Sequence, residues 1–260
     1  VGAMVAACID TNWWKKTWWV FFAGAVVLLL LCFVSPFGQR INGSSRWLNL
    51  GPVTFQPSEL AKVAALFFVA WWYDRYEKQV GKFLPGIVFP LMILGVLIVP
   101  ILCEVDLGTS ALVGVTALTV MFVGGAGLRW LTLMSVVGLA GAFALVSQID
   151  ERMGRVLAFM HPEKFRLGEG LQQWQALIAF GSGGLDGLGL GDGRQKFLYL
   201  PYAHTDFIFP MIGEELGLRL TLLTVFGYLL VCLCGIIVAT NARDRFGMLL
   251  GFGCVMMISL

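Results

Sequence analysis

The stretch FLPGIVFPLMILGVLIVPILC, residues 83–103, contains 21 consecutive residues and no charged side chain. A helix of about 20 apolar residues is long enough to cross the hydrocarbon core of a bilayer. The whole chain has the same character, because 58% of its 260 residues are hydrophobic, 13% are charged and the mean hydropathy is +0.82. Soluble domains carry about 25% charged residues. The sequence therefore predicts an integral membrane protein.

Further apolar runs lie on both sides of this stretch. They cover residues 17–37, 57–73, 107–127, 130–149, 206–238 and 246–260. The runs are continuous, whereas the strands of a membrane barrel would appear as alternating segments of about ten residues. Only helices and closed barrels satisfy the backbone polar groups in lipid. We therefore expect an all-α polytopic membrane protein with about seven spans.

Two helix starts can be predicted from local residues. Residues 10–16 are polar enough to form a short loop, so the first span is expected to begin at Thr17. The second helix is expected to follow Pro57, with Ser58 as its N-cap. Tryptophans near the first span are typical of an interfacial aromatic belt. They are Trp13, Trp14, Trp18 and Trp19.

The distribution of basic residues predicts the orientation. If the spans alternate, the short loops rich in Lys and Arg share one face, which the positive-inside rule makes cytoplasmic. Their basic residues are Lys15, Lys16, Arg75, Lys78, Lys82, Arg129, Arg243 and Arg245. Residues 38–57, 104–110 and the large extracytoplasmic loop 150–205 then share the exterior face. A net charge of +2 is uninformative, so nothing in the charge balance points to a nucleic-acid partner.

The exterior segments combine acids with cations. The acids include Glu104, Asp106 and Asp206, and the cations are Arg40, Arg46, Lys164, Arg166, Arg194 and Lys196. Arg and Lys suit recognition of a phosphorylated, sugar-bearing ligand, and a partly desolvated carboxylate suits general-base activation of a hydroxyl. Ion pairs that merely hold the loops together are the alternative. Clustered carboxylates would also hold Mg²⁺ or Mn²⁺ through waters, so the metal is left open.

Residues around Asp206 carry three further hypotheses. His204 would orient this acid or titrate near neutrality, unless it has a structural role. The glycine-rich segment 181–196 lacks the ending of a phosphate loop, so its glycines are expected to allow tight turns. Glu215 and Arg219 have the spacing of a same-face helical pair, which leaves Glu214 facing the bundle interior.

Four segments together resemble the signatures of the SEDS family, which comprises the FtsW, RodA and SpoVE proteins. They are NGSSRWLNLGPVTFQPSELAK (42–62), EVDLGT (104–109), GSGGLDGLGLGDGRQK (181–196) and YLPYAHTDFIFPMIGEELG (199–217). The similarity covers nearly the whole chain in the family's order and is closer to the FtsW branch than to the RodA branch. The family has ten spans, so we expect residues 1–260 to be a single membrane domain that is incomplete at both ends.

The resemblance implies a peptidoglycan glycosyltransferase that polymerises lipid II at the outer face of the bacterial cytoplasmic membrane, in division or growth. Its implied partners are a class B penicillin-binding protein, other division or elongation membrane proteins, and membrane lipids. A lipid II flippase and a non-catalytic scaffold of the division machinery are the alternatives. A flippase should carry charges along its spans and on both faces.

The resemblance also assigns residues. Asp206 matches the family's essential aspartate. The substrate-binding candidates that the resemblance supports are Trp47, Glu104, Asp106, Gln172, Gln175, Lys196 and His204. Arg46 and Glu214 are further substrate-binding candidates, taken from the charge pattern and the helix spacing. Four positions depart from the family pattern, with Val105 for proline, Leu171 for tyrosine, Tyr202 for glutamate and Pro210 for alanine.

Overall fold

The computed structural model describes residues 8–34, 38–41, 44–49, 54–148, 150–168, 170–193 and 207–260. The chain forms two compact units. Unit 1 contains Val1–Ser135 and Cys232–Leu260, and unit 2 contains Val136–Val231. Each unit is described separately below.

Unit 1 holds most of the apolar helices and a small sheet. Its elements are α1 (Thr11–Leu31), β1 (Gly38–Ile41), β2 (Ser44–Asn49), β3 (Thr54–Phe55), α2 (Pro57–Arg75), a π-helical turn (Leu84–Val88), α3 (Phe89–Cys103), α4 (Leu107–Val123), the start of α5 (Leu128–Ser147), the end of α8 (Ile208–Thr240) and α9 (Arg245–Ser259). Unit 2 holds the rest of α5, α6 (Asp150–Met160), α7 (Leu171–Gly183) and the first part of α8.

Membrane-spanning character is clear in four described helices. Thr11–Leu31, Leu84–Cys103, Leu128–Ser147 and Ile208–Thr240 are long and apolar enough to cross a bilayer. Leu107–Val123 and Arg245–Ser259 are shorter apolar helices. Together with α2 they account for the seven predicted apolar helices, and the predicted helical membrane fold is confirmed.

Helix α2 forms the centre of unit 1. Ala61, Ala64 and Phe68 on this helix are fully buried. The small alanines let neighbouring helices approach closely, as is common between membrane helices. On the α1 side, Trp18 stacks on Trp71 with 4.5 Å between the ring centroids. The core therefore combines close helix contacts with an aromatic layer.

One end of unit 1 gathers the basic segments. Lys15 at the start of α1 lies 2.5 Å from Asp74 near the end of α2. Arg245 at the start of α9 lies 2.5 Å from Glu77, and it donates to the carbonyl of Gly124 at 2.7 Å. These contacts place the loops that were predicted to share a face at the same end of unit 1. We call it the basic end.

The opposite end of unit 1 carries a three-stranded antiparallel sheet, which the sequence did not predict. Strand β2 is central, with Gly38 opposite Leu48 on one side and Leu48 opposite Phe55 on the other. Helices α1 and α3 end at this side of the unit, and α4 begins there. We call it the sheet end.

Two predicted helix starts are wrong. Helix α1 begins at Thr11, not at Thr17, because the Asp10 carboxylate accepts a hydrogen bond from the amide of Asn12 and caps the helix six residues earlier. Ser58 is not the N-cap of α2. Gln56 occupies that position, and Ser58 lies buried within the first turn behind Pro57.

Candidate functional site

Asp106 organises the turn between α3 and α4 at the sheet end. It is the N-cap of α4, and its Oδ1 accepts from the amide of Thr109 at 3.1 Å while its Oδ2 accepts from the Thr109 hydroxyl at 3.0 Å. An N-cap carboxylate satisfies amides that the first helical turn leaves unpaired. The sequence DLGT therefore fixes the position of this acid.

Arg46 joins the sheet to this turn. Its Nη1 lies 3.9 Å from Asp106 Oδ2, and its Nη2 donates to the carbonyl of Val105 at 3.1 Å. Gln56, just after β3, donates to the same Asp106 oxygen at 3.4 Å. The Arg46 side chain is 36% exposed, so it remains accessible from the sheet end. Trp47 follows Arg46 on β2 and is half-buried.

Glu104 is buried directly beside this pair. Its side chain is among the largest fully buried ones, at 1% exposure, and it lies near the Cys32 thiol. Burial raises the pKa of Glu104 to about 7, with Asp106 adding to the rise and Cys32 and Arg46 opposing it. Burial and the neighbouring Glu104 raise the pKa of Cys32 to about 12. Glu104 can therefore gain or lose a proton near neutral pH, whereas the thiol stays protonated.

Val105 has an unusual backbone at the centre of the turn. Its φ is 64°, in the left-handed region that β-branched residues disfavour. A proline ring would hold φ near −65°, so proline, which the resemblance leads us to expect at this position, does not fit the turn in this conformation. The hydrogen bond from Arg46 to the Val105 carbonyl helps to hold the turn.

In unit 2, a glycine-rich loop forms backbone hydrogen bonds with the residues on both sides of a break in helix α8. The break lies at Gly217, which has φ 74° and ψ 178°. The amides of Leu188 and Gly189 donate to the carbonyls of Glu214 and Glu215, both at 3.0 Å. In return, the amide of Leu218 donates to the carbonyl of Gly184 at 2.9 Å. The loop thus satisfies the backbone groups on both sides of the break.

Two glycines make this close backbone contact possible. Gly187 has φ 81°, and a Cβ on it would lie 2.2 Å from the carbonyl oxygen of Glu215. A Cβ on Gly217 would lie 2.4 Å from the amide nitrogen of Gly187. Only glycine allows both the positive φ and the close approach. The expectation that glycines of segment 181–196 allow tight turns is therefore correct at Gly187, whereas the role of Gly217 was not predicted.

The predicted Glu215–Arg219 pair is wrong. The break at Gly217 interrupts the helical spacing between them, and Arg219 instead lies 2.5 Å from Asp186 of the glycine loop. Glu215 accepts a hydrogen bond from the amide of Gly191 at 3.1 Å. Glu214 is 1% exposed and faces the interior, as expected. A Cβ on Gly193 would lie 3.0 Å from Glu214 Oε2, so the loop also covers this acid.

The remaining candidates divide into two groups. Gln172 and Gln175 lie half-buried on α7, at the i,i+3 spacing of one helix face. Lys196, His204 and Asp206 lie outside the described residues, as do the departure Tyr202 and the cation Arg194. Their assignments remain predictions from the sequence.

The described residues offer few groupings of metal-ligating side chains. Within them, no group of three or more His, Cys, Asp or Glu side chains could hold an ion. Glu104 and Asp106 supply only two carboxylates, and the cation Arg46 lies beside them. The described residues offer no third ligand for a metal at this place. We therefore derive no chemical step through a metal.

Sequence reasoning missed one member of the site. Cys32 follows α1 at the end of an apolar run, and such a cysteine is ordinarily a packing residue. No spacing or motif connects it with Glu104, since the two residues are distant in the sequence and meet only because α1 and α3 end together.

The fold and the sheet end define a polytopic helical membrane protein with a polar site at one end of its helices. The FtsW/RodA/SpoVE family model, described as "Cell cycle protein", matches residues 1–260. A "Probable peptidoglycan glycosyltransferase FtsW" of Geobacter metallireducens is 36% identical over 257 residues, covering 99% of this chain and 68% of its own. The protein of the same name from Geobacter sp. strain M18 is 37% identical over 260 residues, covering 100% and 71%. The chain belongs to the FtsW/RodA/SpoVE family.

Solved structures agree on the fold. A chain from "Structural coordination of polymerization and crosslinking by a peptidoglycan synthase complex" matches with a TM-score of 0.77 at 22% identity, over 98% of this chain and 70% of that one. The rod shape determining protein RodA of Thermus thermophilus matches with a TM-score of 0.65 at 24% identity, over 98% and 67%. The predicted family, membrane fold and glycosyltransferase class are confirmed by these comparisons.

Proposed function

We propose that this chain is the membrane domain of a peptidoglycan glycosyltransferase that polymerises lipid II at the outer face of the cytoplasmic membrane. The observation that carries the proposal is the buried Glu104 beside the Arg46–Asp106 pair at the sheet end. A buried acid next to an accessible guanidinium is an expensive arrangement in a membrane protein and is a functional-site hypothesis by default.

The orientation follows from the charge asymmetry of unit 1. Its basic end is cytoplasmic by the positive-inside rule, so its sheet end faces outward. Lipid II is amphipathic, with an undecaprenyl chain in the bilayer and a pyrophosphate, a disaccharide and a peptide at the surface. A site at the outer ends of the helices can meet the polar part of such a molecule while its chain stays in lipid.

Asp206 is the proposed general base. It removes the proton from the C4 hydroxyl of the acceptor GlcNAc, and that oxygen attacks the anomeric carbon of the donor MurNAc. The bond from this carbon to the lipid pyrophosphate breaks, and the pyrophosphate leaves with the bonding electron pair. One displacement inverts the configuration and gives a β-linkage without a covalent enzyme intermediate.

Arg46 and Glu104 have supporting roles in this scheme. The Arg46 guanidinium is positioned by Asp106 and by the Val105 carbonyl, and it offers donors to phosphate oxygens. Because the pKa of Glu104 is about 7, its carboxylate neutralises the Arg46 charge above neutral pH. Below neutral pH the protonated acid leaves that positive charge available to a phosphate. A divalent cation, Mg²⁺ or Mn²⁺, would supply further neutralisation of the leaving pyrophosphate when bound.

A class B penicillin-binding protein is the proposed partner, because crosslinking must follow polymerisation. One structural relative is described as part of a peptidoglycan synthase complex. Other membrane proteins of division or elongation complete the assembly.

The test uses the purified full-length protein, with its partner, and labelled lipid II. Glycan strands on a gel are the expected result. Transbilayer movement of lipid II without glycan strands would identify the protein as a flippase instead. If neither activity is detected, the protein would be a non-catalytic scaffold. A heat-denatured sample and a sample without the protein control for background polymerisation.

A further inference from the structure

A cavity opens at the basic end of unit 1, away from the proposed substrate site. Its volume is about 450 Å³, and it lies between the first turns of α1 and the last turn of α2. Its lining residues are Asn12, Lys15, Lys16, Trp18, Trp71 and Arg75. Three of these six side chains carry a positive charge.

The charges in the cavity are unevenly neutralised. Lys15 is paired with Asp74 at 2.5 Å. Lys16 and Arg75 are exposed, and across the described part of the chain neither belongs to an ion pair. The exposed Asp10 carboxylate, which caps α1, interacts electrostatically with Lys16 without forming an ion pair. The cavity therefore retains two cations that are available to an anion.

The walls of the cavity indicate where it lies relative to lipid. Trp18 and Trp71 stack with 27° between their planes and form a flat apolar wall. On the outer side of the same helix, Trp13 and Trp19 are 48% and 60% exposed. Tryptophan is enriched at membrane–water interfaces, and α1 is apolar enough to cross a bilayer. The cavity thus lies at the level of lipid headgroups, with a lipid-compatible surface directly beside it.

We propose that this cavity binds the headgroup of an anionic phospholipid. The phosphate would sit between Lys16 and Arg75, and the acyl chains would run along the exposed apolar face of α1. A basic segment next to a membrane helix attracts anionic lipid by about 1 kcal/mol per Lys or Arg. A lipid is favoured over a soluble phosphate because the apolar surface continues from the cavity into the span. The site involves neither Asp206 nor the sheet end, so it is independent of the proposed polymerase chemistry.

The experiment titrates the purified full-length protein with phosphatidylglycerol in mild detergent and counts retained lipids by native mass spectrometry. The double variant Lys16→Gln/Arg75→Gln removes both free cations. Its matched control, Lys78→Gln/Arg243→Gln, removes two exposed cations from the same end but outside the cavity. Wild type and control should retain phosphatidylglycerol equally, and the cavity variant should bind it about 30-fold more weakly, as two lost cations imply. Phosphatidylcholine should be retained poorly by all three proteins.

Two controls distinguish specific lipid binding from misfolding and from binding of a soluble anion. The charge-retaining variant Lys16→Arg/Arg75→Lys should bind phosphatidylglycerol like wild type, which separates lost charge from lost folding. Equal weakening in the cavity variant and the Lys78/Arg243 control would overturn the proposal in favour of diffuse charge attraction. Full displacement of the lipid by inorganic phosphate at equal concentration would also overturn it, because the site would then recognise a soluble anion.

Discussion

Replacing Glu104 with Gln should change how the stability of the protein depends on pH. Folding raises the pKa of this carboxyl from its ordinary 4.5 to about 7. Between these values the folded protein holds the proton more tightly than the unfolded chain, so the free energy of unfolding falls as pH rises. The contribution of the protonated carboxyl is fully present below pH ~4.5 and is lost by about pH 7. Each pH unit corresponds to about 1.4 kcal/mol, so the whole window amounts to ~3 kcal/mol at most.

Glutamine has nearly the same size and carries no charge at any pH, so Glu104→Gln removes this dependence. The variant and the wild type should unfold at similar temperatures near pH 4.5. At pH 8 the variant should be more stable by up to about 3 kcal/mol, which raises its Tm by several degrees. Thermal unfolding of both full-length proteins across this pH range, followed by tryptophan fluorescence, measures the difference.

The matched control is Glu59→Gln, since the Glu59 side chain is 56% exposed and pairs with Lys62 at 2.8 Å. Exposed pairs contribute little to stability, so its Tm should follow the wild type at every pH. Parallel curves for Glu104→Gln and wild type, or a less stable variant at pH 8, would refute the argument that burial controls the protonation of Glu104.

Three further predictions address topology and unit 2. Single cysteines placed at positions 78 and 243, after removal of the native ones, should resist an impermeant thiol reagent in intact cells, whereas those at positions 47 and 185 should react; labelling at 78 would reverse the orientation. Gly187→Ala should lower the free energy of unfolding by about 2 kcal/mol or more, and the Tm with it, because its φ is 81° and its Cβ would meet the Glu215 carbonyl. Gly181→Ala, where a Cβ has open space, should leave the Tm unchanged or higher, and equal effects would mean that the loop has a different conformation. Glu215→Ala should lower stability by about 1 kcal/mol through loss of the Gly191 contact, and Glu214→Gln should lower polymerisation with Tm retained; identical behaviour of these two variants in both assays would contradict the division of roles.

The helical membrane fold was predictable because it depends on length and hydropathy. Uninterrupted apolar runs such as residues 83–103 have few alternatives once the chain must satisfy its backbone in lipid. Helix ends were less predictable, since they depend on single capping contacts. Asp10 extends α1 through residues 11–16 although these include Lys15 and Lys16.

The candidate site was predictable only in part. Glu104, Asp106 and Arg46 carry charge at the ends of apolar segments, so their types and positions made them candidates, and the structure brings them together. Cys32 and the break at Gly217 left no such signal. The first depends on two helices ending together, and the second on a positive φ that the apolar periodicity of α8 conceals. Asp206, His204 and Lys196 stay predictions from the sequence.

Polymerisation by the Asp206→Asn variant tests the central proposal most directly. The full-length variant and the wild type are reconstituted with the partner penicillin-binding protein and given labelled lipid II, and the glycan strands are measured on a gel. Loss of a general base lowers the rate by about 10²–10⁴, so the variant should form no strands above background while its expression and partner binding stay normal. Near-normal strand formation by Asp206→Asn would contradict the account.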